Sequence, residues 1–162
     1  VYTLSVTVIA GFTNGQSYAI GADSGAFEDG SYLYTTTKTP KAWTVGDTLI
    51  GGVGSFRAIE VARSSGLSDP HKLLTLLLEQ TNLSGWSLLL VTRKAITEVS
   101  DEGGVTIYRD HYGAIGAGAG VAMGYLAGCD KSAPTVLTIR KAMEITGKHS
   151  LYCVPPYLIF SK

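Results

Sequence analysis

Thr7, Asp23 and Lys41 are the residues of this sequence best placed to do chemistry. Thr7 opens an apolar run, Thr7-Val8-Ile9-Ala10-Gly11-Phe12. Asp23 closes a second, Ser17-Tyr18-Ala19-Ile20-Gly21-Ala22-Asp23, and Lys41 begins a third, Lys41-Ala42-Trp43-Thr44-Val45. A hydroxyl is a weak nucleophile at neutral pH and needs a base beside it. A hydroxyl, a carboxylate and a lysine delivered by neighbouring strands suit hydrolysis of an amide bond by a nucleophile that is also the N-terminus. That chemistry needs a free α-amine on Thr7, and six residues, Val1–Val6, precede it. Residues 1–6 are therefore expected to be an extension or propeptide, ahead of a single domain over residues 7–162.

Each of these residues also has a plain structural reading. Thr7 is a β-branched strand former. Asp23 can be a turn residue, and Lys41 behind Pro40 can be a solvated edge lysine. The acid and the lysine are informative only as a pair. Thr3 and Ser5 are also hydroxyls near the start, without the same spacing to Asp23 and Lys41. His71, His111 and His149 read as surface or helix-start residues, and only His149 is kept as a candidate. Gly116-Ala117-Gly118-Ala119-Gly120 looks like a phosphate loop but lacks the Gly-Lys-Ser/Thr ending, so close helix packing explains it better. Cys129 and Cys153 are too few for a disulfide framework and show no metal-ligand spacing. They are expected to be reduced thiols in a cytoplasmic protein without metal or cofactor.

Composition narrows the classes. The chain has 162 residues, is 45% apolar and 16% charged, and carries a formal net charge of zero. That balance argues against nucleic-acid binding, which needs clustered Lys and Arg, and against disorder. No apolar run reaches the length of a membrane span, and the start lacks the basic, apolar and small-residue order of a secretory signal. A nearly neutral, apolar-rich chain is expected to bury part of its surface in an oligomer.

The elements that must position the three residues follow from patterning. Two apolar strands flank Thr13-Asn14-Gly15-Gln16, an Asn-Gly hairpin signal. Both are apolar at nearly every position, so both faces should be covered. Residues 24–39 form a polar, Gly- and Thr-rich excursion. Lys41–Val45 and Thr48–Gly52 make a second hairpin through Gly46-Asp47. Ser55 should cap a helix running through Arg63 and ended by Gly66. Ser68-Asp69-Pro70 should start a leucine-dense helix over His71–Gln80. Strands are expected at Trp86–Thr92, Lys94–Ser100 and Val105–Tyr108. Helices follow at Val121–Ala127 and, capped by Ser132 and closed by Gly147, at Ala133–Thr146. A last strand covers Tyr157–Ser161. Antiparallel strands in blocks with paired helices between them predict an α+β fold, a four-layer αββα sandwich.

This order resembles the proteasome β-subunit family of N-terminal-nucleophile (Ntn) hydrolases, nearest its short bacterial and phage members and the HslV-type peptidase. Three segments carry the resemblance. Thr7-Val8-Ile9-Ala10 through Gly21-Ala22-Asp23-Ser24 resembles the opening threonine strand and the Gly-x-Asp strand, with the family's sixteen-residue step from Thr7 to Asp23. Thr39-Pro40-Lys41-Ala42-Trp43, with Ile50-Gly51-Gly52 after it, resembles the lysine strand and its glycine. Tyr112-Gly113-Ala114-Ile115-Gly116-Ala117-Gly118 resembles the Gly-Ser-Gly segment before the third helix.

The resemblance implies a self-assembling threonine peptidase. Thr7 would be the nucleophile and its α-amine the base, with a pKa of about 7.7–8.0 when unperturbed. Lys41 would disfavour protonation of that amine, and Asp23 would hold Lys41. The Gly52 N–H, or that of Gly51 if the register slips by one, would stabilise the oxyanion. It also implies a homo-oligomeric ring of six or seven, possible stacking, an ATPase unfoldase partner, and peptide or unfolded-protein substrates. The chain departs from the pattern at Ala117, which stands where the family has serine. It departs again at Lys148-His149-Ser150-Leu151, which lacks the family's acid, with Ser150 or His149 as substitutes. A catalytically silent assembly subunit of the same fold, and a small-molecule Ntn amidase, are the alternatives.

Overall fold

In the computed structural model, described over residues 7–28, 31–34, 40–80 and 83–162, two antiparallel sheets lie face to face between two pairs of helices. The strands and helices run β1 (Val8–Thr13), β2 (Tyr18–Ala22), β3 (Gly25–Glu28), β4 (Ser31–Tyr34), β5 (Ala42–Val45), β6 (Thr48–Gly54), α1 (Phe56–Ser65) and α2 (Pro70–Glu79). They continue with β7 (Trp86–Val91), β8 (Ile96–Ser100), β9 (Gly104–Ile107), β10 (Tyr112–Gly116), α3 (Ala119–Ala127), α4 (Thr135–His149) and β11 (Leu158–Ser161). One sheet has the order β10-β1-β2-β11 and the other β5-β6-β7-β8-β9. Helices α3 and α4 cover the first, and α1 and α2 the second. This is the expected αββα sandwich.

Strand alternation explains why the central strands are apolar throughout. In β1, Val8, Ala10 and Phe12 point to α3 and α4, while Ile9 points between the sheets. In β7, Leu89 and Val91 face the sheet interface, while Trp86, Leu88 and Leu90 face α1 and α2. A two-residue period with both faces covered demands an apolar residue at every step. The helix caps are equally local. The Ala58 N–H donates to the Ser55 side chain and Lys72 N–H to Asp69 Oδ1, while Gly66 ends α1 in the left-handed conformation.

Three features differ from the sequence reading. The 24–39 excursion contains a hairpin, β3 paired with β4. Tyr112–Gly116 is a strand, β10, antiparallel to β1 with Val8 opposite Gly116. Helix α4 begins after Pro134 without a side-chain cap and runs through Gly147 to His149. Ser132 instead turns back on Asp130, to which its N–H donates at 2.7 Å. Gly147 does not cap α4 but lets it approach Tyr157, because a Cβ there would fall on the Tyr157 hydroxyl. Val1–Val6, with Thr3 and Ser5, lie outside the described residues. Among those described, no helix is long and apolar enough to cross a membrane.

Candidate active site

Thr7, Asp23 and Lys41 meet where the two sheets come together. Thr7 immediately precedes β1 and Asp23 immediately follows β2. The antiparallel ladder sets Ile9 opposite Ala22, and the Asp23 N–H donates to the Val8 carbonyl at 3.3 Å. Lys41 directly precedes β5, an edge strand of the second sheet that packs against β2 and β11. All three residues are buried, at 2%, 2% and 3% exposure respectively. A solvated edge lysine and an ordinary turn aspartate are thereby excluded as readings of Lys41 and Asp23.

The polar groups are fully matched. Lys41 Nζ donates to Asp23 Oδ1 at 3.0 Å, to Thr7 Oγ1 and to the Gly25 carbonyl, three donors to three acceptors. The Thr7 hydroxyl lies 3.3 Å from the same carbonyl. Besides Lys41, Asp23 Oδ1 takes the Val8 N–H at 3.1 Å, and Oδ2 takes the N–H groups of Gly25 at 2.9 Å and Val154 at 3.4 Å. A carboxylate so surrounded has both oxygens engaged and holds the neighbouring groups in place. Burial pulls the Lys41 pKa below its ordinary value, against the opposing charge and hydrogen bond of Asp23. Its ammonium is therefore easier to deprotonate than a surface lysine's.

Gly52 is placed differently from expectation. Its N–H donates to the Lys41 carbonyl at 2.8 Å, extending the β5–β6 ladder, and so is committed within the sheet. Gly51 sits opposite Ala42 and Leu89 in the middle of that sheet, and a Cβ there would press on Ile9 and Ile20. Neither glycine offers a free donor beside Thr7 in this arrangement.

Sequence reading missed the main-chain groups and the strap over the site. The Gly25 carbonyl and the Val154 N–H leave no side-chain signal. Residues 150–157 reach the site because the Ser24 N–H donates to the Val154 carbonyl at 2.9 Å and the Ser24 hydroxyl to the Pro156 carbonyl. Cys153 belongs to this strap. It is 3% exposed, and burial, then the Asp23 charge, pushes its thiol up to about 12 against the pull of Lys41. It is a neutral thiol at physiological pH. Gly116 closes the other side with φ of 97°, and a Cβ on it would collide with the Thr7 carbonyl oxygen. Beyond it, Ala117 is exposed, and Ser150 Oγ, which accepts the Tyr152 N–H at 3.1 Å, lies against Gly118. His149 is exposed at the end of α4. His71 is on α2, and His111 packs edge-on to Phe12 at 5.1 Å, toward the far end of β1.

No protein-family model matches this sequence, and no curated protein does either. Solved structures do match in fold. Thiobacillus denitrificans BPH superposes with a TM-score of 0.75 at 18% identity, over 96% of this chain and 97% of that one. A structure described as Thiobacillus denitrificans BPH in complex with Epoxomicin gives 0.77 at 19%, over 96% and 98%. Eukaryotic HslV from Trypanosoma brucei gives 0.75 at 19%, over 96% and 98%. The chain therefore has the HslV/proteasome-type Ntn fold along nearly its whole length.

Proposed function

We propose that this chain is the subunit of a proteasome-like threonine peptidase, with Thr7 as the nucleophile once residues 1–6 are removed. The observation that carries the reading is the buried contact of Lys41 Nζ with both the Thr7 hydroxyl and the Asp23 carboxylate. In this reading the freed α-amine of Thr7 takes the hydroxyl proton. Oγ1 then attacks the substrate carbonyl, the amine leaves with a proton, and water hydrolyses the resulting ester. Lys41 keeps the α-amine from being protonated, and Asp23 fixes Lys41. Gly52 can stabilise the oxyanion only if its bond to the Lys41 carbonyl is broken or shared. The likeness in fold to HslV and to a structure with epoxomicin supports a peptidase. A homo-oligomeric ring of six or seven, a cytoplasmic setting, an ATPase unfoldase partner and unfolded-protein substrates belong to the same proposal.

A second reading is favoured by the committed Gly52 N–H. In it the chain is a silent assembly subunit whose Thr7 stays joined to Val6. Intact mass of the untagged 162-residue chain after assembly separates the two. The peptidase reading expects loss of Val1–Val6 in the wild type and none in Thr7→Ala. Retention of all six residues, with no labelling by a threonine-directed electrophile, establishes the silent reading. Removal that persists in Thr7→Ala sinks self-processing.

A further inference from the structure

At the end of β1 away from Thr7, four turns converge on a cavity of about 480 Å³. Its charged lining comprises Arg93 and Lys94 from the β7–β8 turn, Arg109 and Asp110 from the β9–β10 turn, and Lys131 from the α3–α4 turn. His111 also lines it. The site lies six residues along the strand from Thr7, roughly 20 Å at an extended rise, and is separate from the proposed peptidase chemistry.

The charge balance there is unlike that of the molecule. The chain carries 13 basic and 13 acidic side chains. This one cavity gathers four of the former and a single carboxylate. Among the described residues, none of Arg93, Lys94, Arg109 or Lys131 has a carboxylate within 4.0 Å; the ion pairs are Lys41–Asp23 and Lys162–Asp47. His111 Nε2 is buried and has no hydrogen-bond partner among the described residues. Converging like charges repel unless a counter-charge joins them. The frame that holds them is braced. The Thr13 hydroxyl donates to the Arg93 carbonyl at 2.8 Å, and the Thr13 N–H donates to the His111 carbonyl at 2.8 Å. Thr92 Oγ1 accepts the N–H groups of Lys94 and Ala95, closing their turn.

We propose that this cavity binds a small oligophosphate, either free or as the phosphate tail of a nucleotide. Two guanidinium forks can each grip phosphate oxygens in pairs, and two ammonium groups add point charges. The volume is that of a small-molecule site and suits a compact polyanion better than a length of acidic chain.

Calorimetric titration of the full chain with sodium tripolyphosphate, ATP, adenosine and a hexaglutamate peptide tests this, at low salt where phosphate binding is strongest. Tripolyphosphate and ATP are expected to bind and adenosine not. Equal affinity for the first two assigns the phosphates alone, and tighter ATP binding assigns a nucleotide. Arg93→Ala with Arg109→Ala should weaken both by about tenfold or more, while Arg57→Ala with Arg140→Ala, on other faces, should bind as wild type does. Lys131→Glu supplies an independent variant on a separate turn, expected to weaken binding too. Absence of binding by both phosphates, equal loss in the Arg57/Arg140 control, or hexaglutamate binding as tightly as tripolyphosphate would overturn the proposal.

Discussion

Asp23 accepts four hydrogen bonds from four separate parts of the chain, three of them main-chain N–H groups. Its value to the site is positional: remove it and Lys41 loses the partner that justifies its burial. The converse is sharper. Lys41→Met leaves a buried carboxylate without its cation, a change that costs about 3–5 kcal/mol in comparable pairs. The pH dependence has a definite sign. Burial lowers the Lys41 pKa in the folded chain below its ordinary value of 10.5. Between those two values the unfolded chain binds more protons, so the lysine's contribution to stability rises with pH through that window and is smallest below it. Urea unfolding of wild type and Lys41→Met at pH 7 and pH 10 should show a gap that widens at the higher pH. A gap that narrows would mean that Lys41 titrates above its ordinary value. At this scale the sequence was informative for side chains: a sixteen-residue step and a lysine strand located three buried partners. It was silent on the Gly25 carbonyl, on the Val154 N–H and on the commitment of Gly52, because backbone groups declare their partners only once strands are in register.

Between elements, the junction of β1 with β10 sets how closely the chain can pass Thr7. Gly116 stands opposite Val8 at the end of that ladder, and only a residue without a Cβ fits against the Thr7 carbonyl. Gly15, in the β1–β2 turn, shares the positive φ, at 85°, but nothing lies within reach of its missing Cβ. The two glycines thus separate backbone strain from collision. Gly15→Ala should cost about 1–2 kcal/mol for the left-handed backbone alone. Gly116→Ala adds an overpacking cost of about 1–3 kcal/mol and displaces Thr7. Thermal unfolding of both variants checks this, and equal losses would show that the β1–β10 junction has room to spare. The same junction marks where pattern reading stopped. Tyr-Gly-Ala-Ile-Gly has two glycines in five positions, which weakens any strand signal, and β10 gains its place from pairing with β1. Gly147 misled for a related reason: a glycine near a helix end resembles a cap, yet here it serves side-chain packing. By contrast, the Asn-Gly turn, the Ser55 and Asp69 caps and the doubly apolar strands were legible, since each is fixed by neighbours within a few residues.

For the whole molecule, the four layers leave open the outer face of a helix that carries no charge. Helix α3, Ala-Gly-Val-Ala-Met-Gly-Tyr-Leu-Ala, has no charged residue on any face. Its inner side packs on β1, β10 and α4, yet Gly120, Gly124 and Ala127 are exposed, and the space where a Cβ would stand at Gly120 and Gly124 is open. A helix apolar all round is normally buried all round, and small residues on its outer face allow a second surface to come close. In the proposed ring, a neighbouring copy would supply that surface. Gly124→Glu distinguishes assembly from folding because the two should move in opposite directions. Within one subunit it removes a helix-interior glycine at a spacious position, worth roughly 0.5 kcal/mol in favour of the fold. At an interface it buries an unpaired charge, which costs far more. Light scattering on the wild type should give six or seven times the 17.1 kDa subunit mass, or twice that if rings stack. Gly124→Glu should give the subunit alone with an unchanged circular-dichroism spectrum. An assembled Gly124→Glu would move the contact to another face, and a monomeric wild type would remove the ring from the functional proposal.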